Sequence, residues 1–246
     1  MNVKFKMPKF GRTLNGSSMA KELLLTTLAT SISIVLTFGT AMWLEHRQKE
    51  KNRRQTAMMV ISDIYAFQCD LQRYYDYFLK WKADIEELKT LSPDSIMRLN
   101  DEDLQRYWAA VGTPMALRRD KTAENIFTSD ISTWRDVGNY QFIRLVGRSY
   151  STIADIEKNF RVKMDERGIN NKNFETDHDT ENMSEAEQLI AYMKQKEVKR
   201  CTDDFCNGFC PYIKESIDDV DRYIGACMQL MSISNDELNE FIANSQ

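Results

Sequence analysis

Three cysteines near the C-terminus are the residues whose type and spacing most resemble a reactive centre. Cys201, Cys206 and Cys210 follow the pattern C-x4-C-x3-C, and thiols grouped in this way can form disulfides or hold a metal ion. Structural zinc sites usually combine C-x2-C pairs with a second pair or with histidines, and this chain has only two histidines. Three interpretations stay open: packed core residues, a disulfide among them or with Cys69, and a metal or redox site.

A second group of ligand-type residues lies in the segment ETDHDTE, residues 175–181. Its carboxylates and its histidine suit a metal ion, but a charge-rich stretch after a glycine is more typical of a solvated loop. The chain also lacks the glycine-rich phosphate-binding motifs, G-x-S-x-G and H-E-x-x-H. The sequence therefore predicts a protein that is not an enzyme and that has no bound cofactor.

An uncharged stretch near the N-terminus indicates how the chain meets a membrane. Residues 23–44 contain no Asp, Glu, Lys or Arg, and about 22 residues in a helix extend about 33 Å, enough to cross a bilayer core. Residues 1–22 form a short basic tail before it. We expect one transmembrane helix over 23–44. The alternative is a cleaved signal peptide, because residues 39–41 offer a small-x-small cleavage site.

Hydroxyl side chains follow one face of this segment at alternating spacings of four and three: Thr26, Thr30, Ser33, Thr37 and Thr40. We call them the hydroxyl stripe. Small and hydroxyl residues let membrane helices approach closely and hydrogen-bond across the contact. Alternatively, each hydroxyl bonds back to a carbonyl of its own helix. The stripe leaves both readings open, and the first would bind a second copy of the chain or another membrane protein.

Basic residues follow the uncharged segment directly: Arg47, Lys49, Lys51, Arg53 and Arg54. This basic collar would gain roughly 1 kcal/mol per residue at an anionic lipid surface, or it is an ordinary solvated start of a helix. The tail on the other side of the segment is equally basic, so the positive-inside rule hardly fixes the orientation. We slightly favour a C-terminal part outside the cytoplasm, because the tail is short and no second apolar span follows.

The clearest periodicity lies within residues 45–91, which we expect to form one long juxtamembrane helix. Apolar and aromatic residues alternate at spacings of four and three over residues 60–88: Val60, Ile64, Phe67, Leu71, Tyr74, Phe78, Trp81, Ile85 and Leu88. This heptad seam must pack against a partner surface. Aromatic residues fit poorly into the narrow seam of a two-stranded coiled coil, so we expect the seam to pack on later helices of the same chain.

Helix signals continue through residues 92–246. Ser92 before Pro93 is typical of a helix start, and Ser184 with Glu187 has the spacing of a capping box. Further helices are expected at about 100–111, 115–135, 140–166 and 211–231. The polar segment 168–183 is expected to be a mobile loop.

The apolar face of the expected last long helix bears on the cysteines. Ile213, Ile217, Val220 and Ile224 recur at helical spacing, and Cys227 continues the series. Projecting this face backwards reaches Cys210 and Cys206. The pattern favours packing of these thiols as small hydrophobic core residues.

Composition agrees with a helical protein. The 246 residues include 9 Gly and 4 Pro, and so few helix breakers favour long helices over a many-stranded sheet. The formal net charge of −4 gives no general attraction to nucleic acid. The sequence predicts an all-α fold in which one N-terminal transmembrane helix continues into an antiparallel helical bundle.

Two segments resemble a group of uncharacterised single-span membrane proteins of the kind found in Bacteroidota. They are MWLEHRQKEKNRRQTAMMVISDI, which follows the span, and ENIFTSDISTWRDVGNYQFIRLVGRSYSTI at residues 124–153. In that group a segment rich in Trp, Glu and Arg leaves the membrane and enters a helical domain. The cysteine cluster departs from the group's pattern. The resemblance implies a bacterial inner-membrane location and a helical domain with no assigned catalytic residues.

These observations support three functional hypotheses. The first is a single-pass, membrane-anchored helical protein that is not an enzyme, contacts the bilayer, and binds a membrane partner or a second copy of itself. The second is a membrane-anchored sensor or regulatory subunit. The third is a metal or redox protein that uses the cluster of Cys201, Cys206 and Cys210.

Overall fold

A computed structural model describes residues 16–129, 137–178 and 180–245, with side chains from residue 24 to residue 244 within these ranges. All regular secondary structure in these residues is helical, and they contain no strand. The expected all-α fold is therefore confirmed. The chain divides into two compact units, Met1–Asn52 and Arg53–Gln246, and the first helix, α1 (Gly16–Leu88), contributes residues to both.

In the first unit, the apolar side chains of α1 are exposed. Val35 and Met42 are each 70% exposed, and an 18-residue window of α1 has a mean hydropathy of 1.6 with none of its residues buried. Among the described residues, α1 is the one helix that is long and apolar enough to cross a membrane. Its exposed surface is the reverse of the pattern for a helix packed into a soluble core.

The second unit contains the remaining helices. In chain order they are α2 (Pro93–Ile96), α3 (Asp101–Gly112), α4 (Thr122–Ser129), α5 (Tyr140–Asp177), α6 (Glu185–Lys194), α7 (Lys196–Asp204), α8 (Cys210–Met231) and α9 (Asn235–Ser245). A 3-10 turn occupies Thr180–Asn182, and a π-helical turn, Phe205–Phe209, joins α7 to α8.

Several of these helices begin at the polar residues that the sequence marks. The Ser92 side chain accepts a hydrogen bond from the Ser95 backbone N–H at the start of α2, with Pro93 in the first turn. Ser184 and Glu187 form a complete capping box at the start of α6. Both predicted starts are confirmed, because each side chain satisfies a backbone N–H that has no partner within its helix.

The heptad seam forms the centre of the second unit. All of its members except the half-buried Tyr74 are buried. The Phe78 ring centre lies 5.7 Å from that of Phe160 in α5, and 5.3 and 5.6 Å from those of Phe205 and Phe209. The seam thus packs on later helices of the same chain, as expected from its aromatic content.

The order of contacts gives the helix directions. Between α1 and α5, the Tyr150 hydroxyl bonds Asp63, and further along both helices Phe78 meets Phe160. Residue numbers rise together across this contact, so α1 and α5 run parallel. Helix α5 therefore begins at the end of the pair near Asp63 and not at the end near Leu88.

The helix α8 runs against both of these helices. Phe78 contacts Phe209 just before α8 begins, whereas Gln68, earlier in α1, bonds Asp221 further along α8. Residue numbers in α1 fall as those in α8 rise along this contact. Helix α8 is therefore antiparallel to α1, and hence to α5. The core of the domain lies among these three helices.

The prediction of a mobile loop at 168–183 is wrong for most of that segment. Helix α5 continues through Gly168 to Asp177, and the 3-10 turn follows at Thr180. The helix persists because Asn170 and Phe174 are buried on the same face as Phe160. Helical spacing of these residues, rather than the local polarity, decides the conformation.

The prediction of a helix at 115–135 is also wrong about where the helix begins. Residues 113–121 are not helical, and α4 begins at Thr122, whose backbone N–H bonds the Asp120 carboxylate at 2.9 Å. We call residues 113–121 the strap. Residues 130–135 of the expected helix lie outside the described residues.

Candidate functional site

The hydroxyl stripe is engaged within α1. Three of its hydroxyls donate to carbonyl oxygens four residues earlier in the same helix, each at 2.7 Å: Thr30, Thr37 and Thr40. This is the back-bonding that Ser and Thr adopt in helices when no other acceptor is near. The donors of these hydroxyls are satisfied without a second helix, and their oxygens keep capacity to accept a hydrogen bond.

The first part of the basic collar lies along α1 in the first unit. The Arg47 guanidinium carbon lies 5.2 Å from the centre of the Trp43 ring, and the Lys49 ammonium pairs with Glu45 at 2.8 Å. Lys51 is exposed. Such contacts at exposed positions contribute little to stability, and these cations remain open to solvent or to a lipid surface.

The second part of the collar belongs to the helical domain. One Arg54 nitrogen donates to the Ser232 carbonyl at 2.8 Å and to the Glu237 carboxylate at 2.8 Å, and Arg53 is half-buried. Arg54 therefore holds the end of α8 and the start of α9 against α1. The five residues of the collar do not form one uniform surface.

The cysteines are divided by exposure. Cys69 is exposed, whereas the other four are buried, and all five thiols are free: Cys69, Cys201, Cys206, Cys210 and Cys227. Burial raises the pKa of Cys210 and of Cys227 to about 12, and it also raises the pKa values of Cys201 and Cys206. Nucleophilic thiols need the opposite shift. The buried thiols stay protonated at neutral pH, as packed core groups do.

The segment 175–181 also differs from a ligand cluster. His178 stacks on Phe174, with ring centres 4.5 Å apart, and its Nδ1 lies 3.3 Å from the Phe174 carbonyl oxygen. Within the described residues, no group of three or more His, Cys, Asp or Glu side chains is arranged to hold a metal ion. Asp179 lies outside those residues.

A buried arginine stands at the centre of the domain. Arg167 is 2% exposed, and its guanidinium carbon lies 4.7 Å from the centre of the Trp81 ring and 4.8 Å from that of Phe205. Two aromatic rings at this distance stabilise a cation through their π faces. Among its nitrogens, Nη2 donates to the Ala110 carbonyl, whereas Nε and Nη1 find no hydrogen-bond partner among the residues that the structure describes.

Within the described residues no carboxylate pairs with Arg167, and its other partners explain how the charge is held. Ala110 lies in the last turn of α3, where carbonyl oxygens lack a partner within the helix and carry partial negative charge. The neighbouring Asn171 amide donates to the Gly112 carbonyl at 2.8 Å and accepts from the Tyr192 hydroxyl at 2.5 Å. Arg167 and Asn171 together cap the C-terminal end of α3.

Burial lowers the pKa of Arg167 to about 10, opposed by nearby thiols and by the Tyr192 hydroxyl. The guanidinium therefore keeps its charge at neutral pH. The cysteine cluster lies beside this cation, because Phe205, one of the two rings next to the guanidinium, directly precedes Cys206. The sulfur-rich, aromatic surroundings form a polarisable lining around a structural cation.

A second charged centre holds the strap. The Arg119 side chain is 4% exposed and pairs with a carboxylate from each of three helices: Asp63 of α1 at 3.4 Å, Glu157 of α5 at 3.3 Å, and Glu124 of α4. The Tyr74 hydroxyl also donates to the Ala116 carbonyl at 2.8 Å. Residue 119 thus fixes the non-helical strap across α1 and α5.

The groups around Arg119 titrate differently from exposed ones. Burial raises the pKa of Asp63, although Tyr150 and Arg119 act to lower it. Burial and the Asp63 charge raise the pKa of Tyr150. Burial opposes the charge on Arg119, but Glu124 and the other carboxylates raise its pKa overall. In this cluster, burial disfavours each charged group while the opposite charges beside it favour ionisation.

Sequence reasoning missed both arginine centres. Arg167 follows Phe160 by seven residues and so repeats the position of a core residue on α5, which is a signal that helical spacing provides. Arg119 carries no such signal, because its contacts depend on the path of a non-helical segment. Comparison of the chain with protein-family models, with curated proteins and with solved structures gives no match.

Proposed function

We propose that this chain is a single-pass, membrane-anchored protein whose helical domain works by binding rather than by catalysis. The observation that carries the proposal is the exposed, uncharged part of α1, whose apolar side chains are not covered by any of the described residues. A helix of this length and composition is stable in contact with lipid chains. The bilayer is therefore the first partner of the chain.

Binding is favoured over catalysis by the chemistry of the described residues. The buried thiols are protonated, and the ion pairs of the buried Arg119 join helices to one another. Catalytic groups need access to a substrate and a pKa matched to proton transfer. The partner would be a membrane protein or a second copy of the chain, in the inner membrane that the sequence resemblance indicates.

Insertion is tested by washing membranes that contain the full-length chain with alkaline carbonate. The wild-type chain should stay in the membrane pellet. Ile32→Lys with Leu36→Lys should release it, because each lysine at a span centre costs about 2.5–3.5 kcal/mol. The matched control is Val162→Lys with Ile169→Lys, which alters two residues of α5 that are 59% and 57% exposed and should leave the chain in the pellet. Release of the wild-type chain would refute the anchor.

Self-assembly is tested separately, by chemical cross-linking in native membranes over a range of expression levels. A cross-linked dimer that survives dilution supports a second copy as the partner. Recovery of monomer alone, together with no specific cross-link to another membrane protein, would contradict the binding role.

A second candidate function, a ligand-responsive regulatory subunit, is favoured by one specific feature. The far end of α1, at Leu88, borders a pocket in the helical domain.

A further inference from the structure

A pocket of about 380 Å³ opens beside the C-terminal end of α1 and is walled by α1, α2, α6 and α7. Its apolar lining consists of Leu88, Leu91, Pro93, Ile96, Ile190 and Met193. Leu88 and Ile96 are 3% and 6% exposed and belong to the hydrophobic core. The pocket is therefore a concave apolar surface on rigid elements, the usual setting of a small-molecule site.

The remaining lining residues are charged: Lys89, Lys194, Lys199 and Asp203. Lys89 pairs with Asp203 at 2.5 Å, so these two charges offset each other. Lys194 and Lys199 are exposed, and the described residues give neither of them an ion pair. Two positive charges without a counter-charge thus border an apolar cavity.

We propose that this pocket binds a single-chain anionic amphiphile, of which a free fatty-acid carboxylate is the simplest. The hydrocarbon chain would cover the apolar lining, and the carboxylate would meet the ammonium groups of Lys194 and Lys199. A purely apolar occupant, such as a hydrophobic segment of a protein, would remove water from both lysines without pairing them, which is unfavourable.

The size of the pocket selects one chain. Ligand pockets range from about 300 to 1,000 Å³, and this one lies near the lower limit. A diacyl lipid would leave its second chain outside the cavity. The ligand is therefore a free single-chain carboxylate rather than a membrane phospholipid.

This site goes beyond the proposed membrane anchor and does not require it, whereas the second candidate function, a ligand-responsive subunit, would fail with the site. All of the lining residues belong to the unit Arg53–Gln246, and the pocket needs no part of the exposed segment of α1. Failure of the carbonate test would leave this site intact, and failure of the ligand test would leave the membrane anchor intact.

The test uses the full-length chain in amphipol and a dodecanoic acid that carries a photoreactive diazirine and a clickable tag. After illumination and proteolysis, mass spectrometry identifies the labelled peptides. Label on peptides covering residues 88–96 and 190–203 should saturate with probe concentration and should be displaced by unlabelled dodecanoate. Label on the apolar residues 24–44 is expected to rise without saturation and serves as an internal reference.

Variants separate the charge from the cavity. Lys194→Ala with Lys199→Ala should raise the probe concentration needed for half-maximal label about tenfold, equivalent to about 1.4 kcal/mol of binding free energy. Ile190→Trp, which fills the cavity, should abolish saturable label. Lys158→Ala with Arg161→Ala removes the same charge from exposed positions of α5 outside the pocket and should have no effect. Thermal melting of each variant shows that the fold is kept.

Competitors decide the nature of the ligand. Dodecanol, which lacks the charge, should compete about tenfold less well than dodecanoate, and vesicles of phosphatidylglycerol should not displace the probe. The proposal is overturned if no saturable label reaches the pocket peptides, or if the filled variant labels like the wild type. It is also overturned if dodecanol or the diacyl lipid competes as well as the carboxylate.

Discussion

The guanidinium carbon of Arg167 lies 4.7 Å from the centre of the Trp81 ring, which couples the middle of α5 to the heptad seam of α1. The same guanidinium donates a hydrogen bond to the Ala110 carbonyl in the last turn of α3. One side chain thus joins three helices that are distant in sequence. Its charge is balanced by aromatic faces and by a helix terminus rather than by a carboxylate.

Loss of Arg167 should strongly destabilise the domain. Arg167→Ala leaves a cavity, removes two cation–π contacts and strands a buried carbonyl, and should lower the free energy of unfolding by about 3 kcal/mol. Arg167→Lys should cost less, because a lysine keeps the charge but not the planar stack. Denaturant unfolding followed by tryptophan fluorescence measures both. The control, Arg161→Ala at an exposed position of the same helix, should change the value by no more than about 0.5 kcal/mol, and an equal loss in the two alanine variants would disprove the role.

Replacing glycine by alanine should change the stability of the domain in opposite directions at two kinds of position. A Cβ on Gly112 would lie 3.0 Å from the Asn171 amide oxygen, and this amide also holds the Tyr192 hydroxyl. Gly112→Ala should therefore destabilise the domain by about 1–2 kcal/mol. Gly147 and Gly225 are helical with open space around a Cβ, and alanine there should stabilise by about 0.8 kcal/mol. Thermal melting of the three variants tests the sign, and a stabilising Gly112→Ala would contradict the close packing.

Removal of Arg119 should release the strap. Arg119→Ala leaves three partly buried carboxylates without their shared cation and should cost about 3 kcal/mol at neutral pH. The penalty should shrink in acid, because the carboxylates then bind protons. Limited trypsin cleavage within residues 113–121, at Arg118 and Lys121, reports the effect locally. An unchanged cleavage rate in the variant would mean that the Tyr74 contact alone holds the strap.

Asp63 should make the domain less stable as pH rises. Its pKa in the folded chain is raised above the ordinary value of 3.8 by burial, so between these two values the folded chain binds more protons than the unfolded chain. Its contribution is present below pH 3.8 and is lost as pH rises through the folded pKa. Asp63→Asn should flatten this part of the stability profile and should be tolerated better than Arg119→Ala. Denaturant unfolding from pH 4 to pH 8 tests this. A steeper dependence of the free energy of unfolding on pH in Asp63→Asn would contradict a raised pKa of Asp63 in the folded chain.

The parts of the fold that depend on helical periodicity could be predicted from the sequence. The heptad seam identified the buried face of α1, and the spacing from Ile213 to Cys227 identified that of α8. Capping residues such as Ser184 fixed helix starts, because their interactions are local. The uncharged residues 23–44 likewise marked the exposed apolar segment.

The errors arose where tertiary contacts override local composition. Gly168 and the polar residues after it suggested a loop, yet burial of Asn170 and Phe174 keeps α5 helical to Asp177. Residues 115–121 of the strap were expected to be helical, because the sequence gives no sign of the three carboxylates that surround Arg119. The parallel course of α1 and α5 also lies beyond local patterns, since it depends on where the crossover chain packs.

The cysteines offer a direct test of both the core and the sidedness of the domain. Cys69 is exposed and the other four thiols are buried, so a membrane-impermeant maleimide should label one thiol rapidly in the purified, folded chain, and all five after denaturation. Cys69→Ser should abolish the rapid label, whereas Cys227→Ser should leave it unchanged. Rapid reaction at Cys206 or Cys210 would show an accessible thiol cluster and would support the redox hypothesis.

Once the purified chain behaves as expected, the same reagent on intact cells reports the location of the domain. Label at Cys69 means that the domain lies outside the cytoplasm, and label only after permeabilisation means that it lies inside.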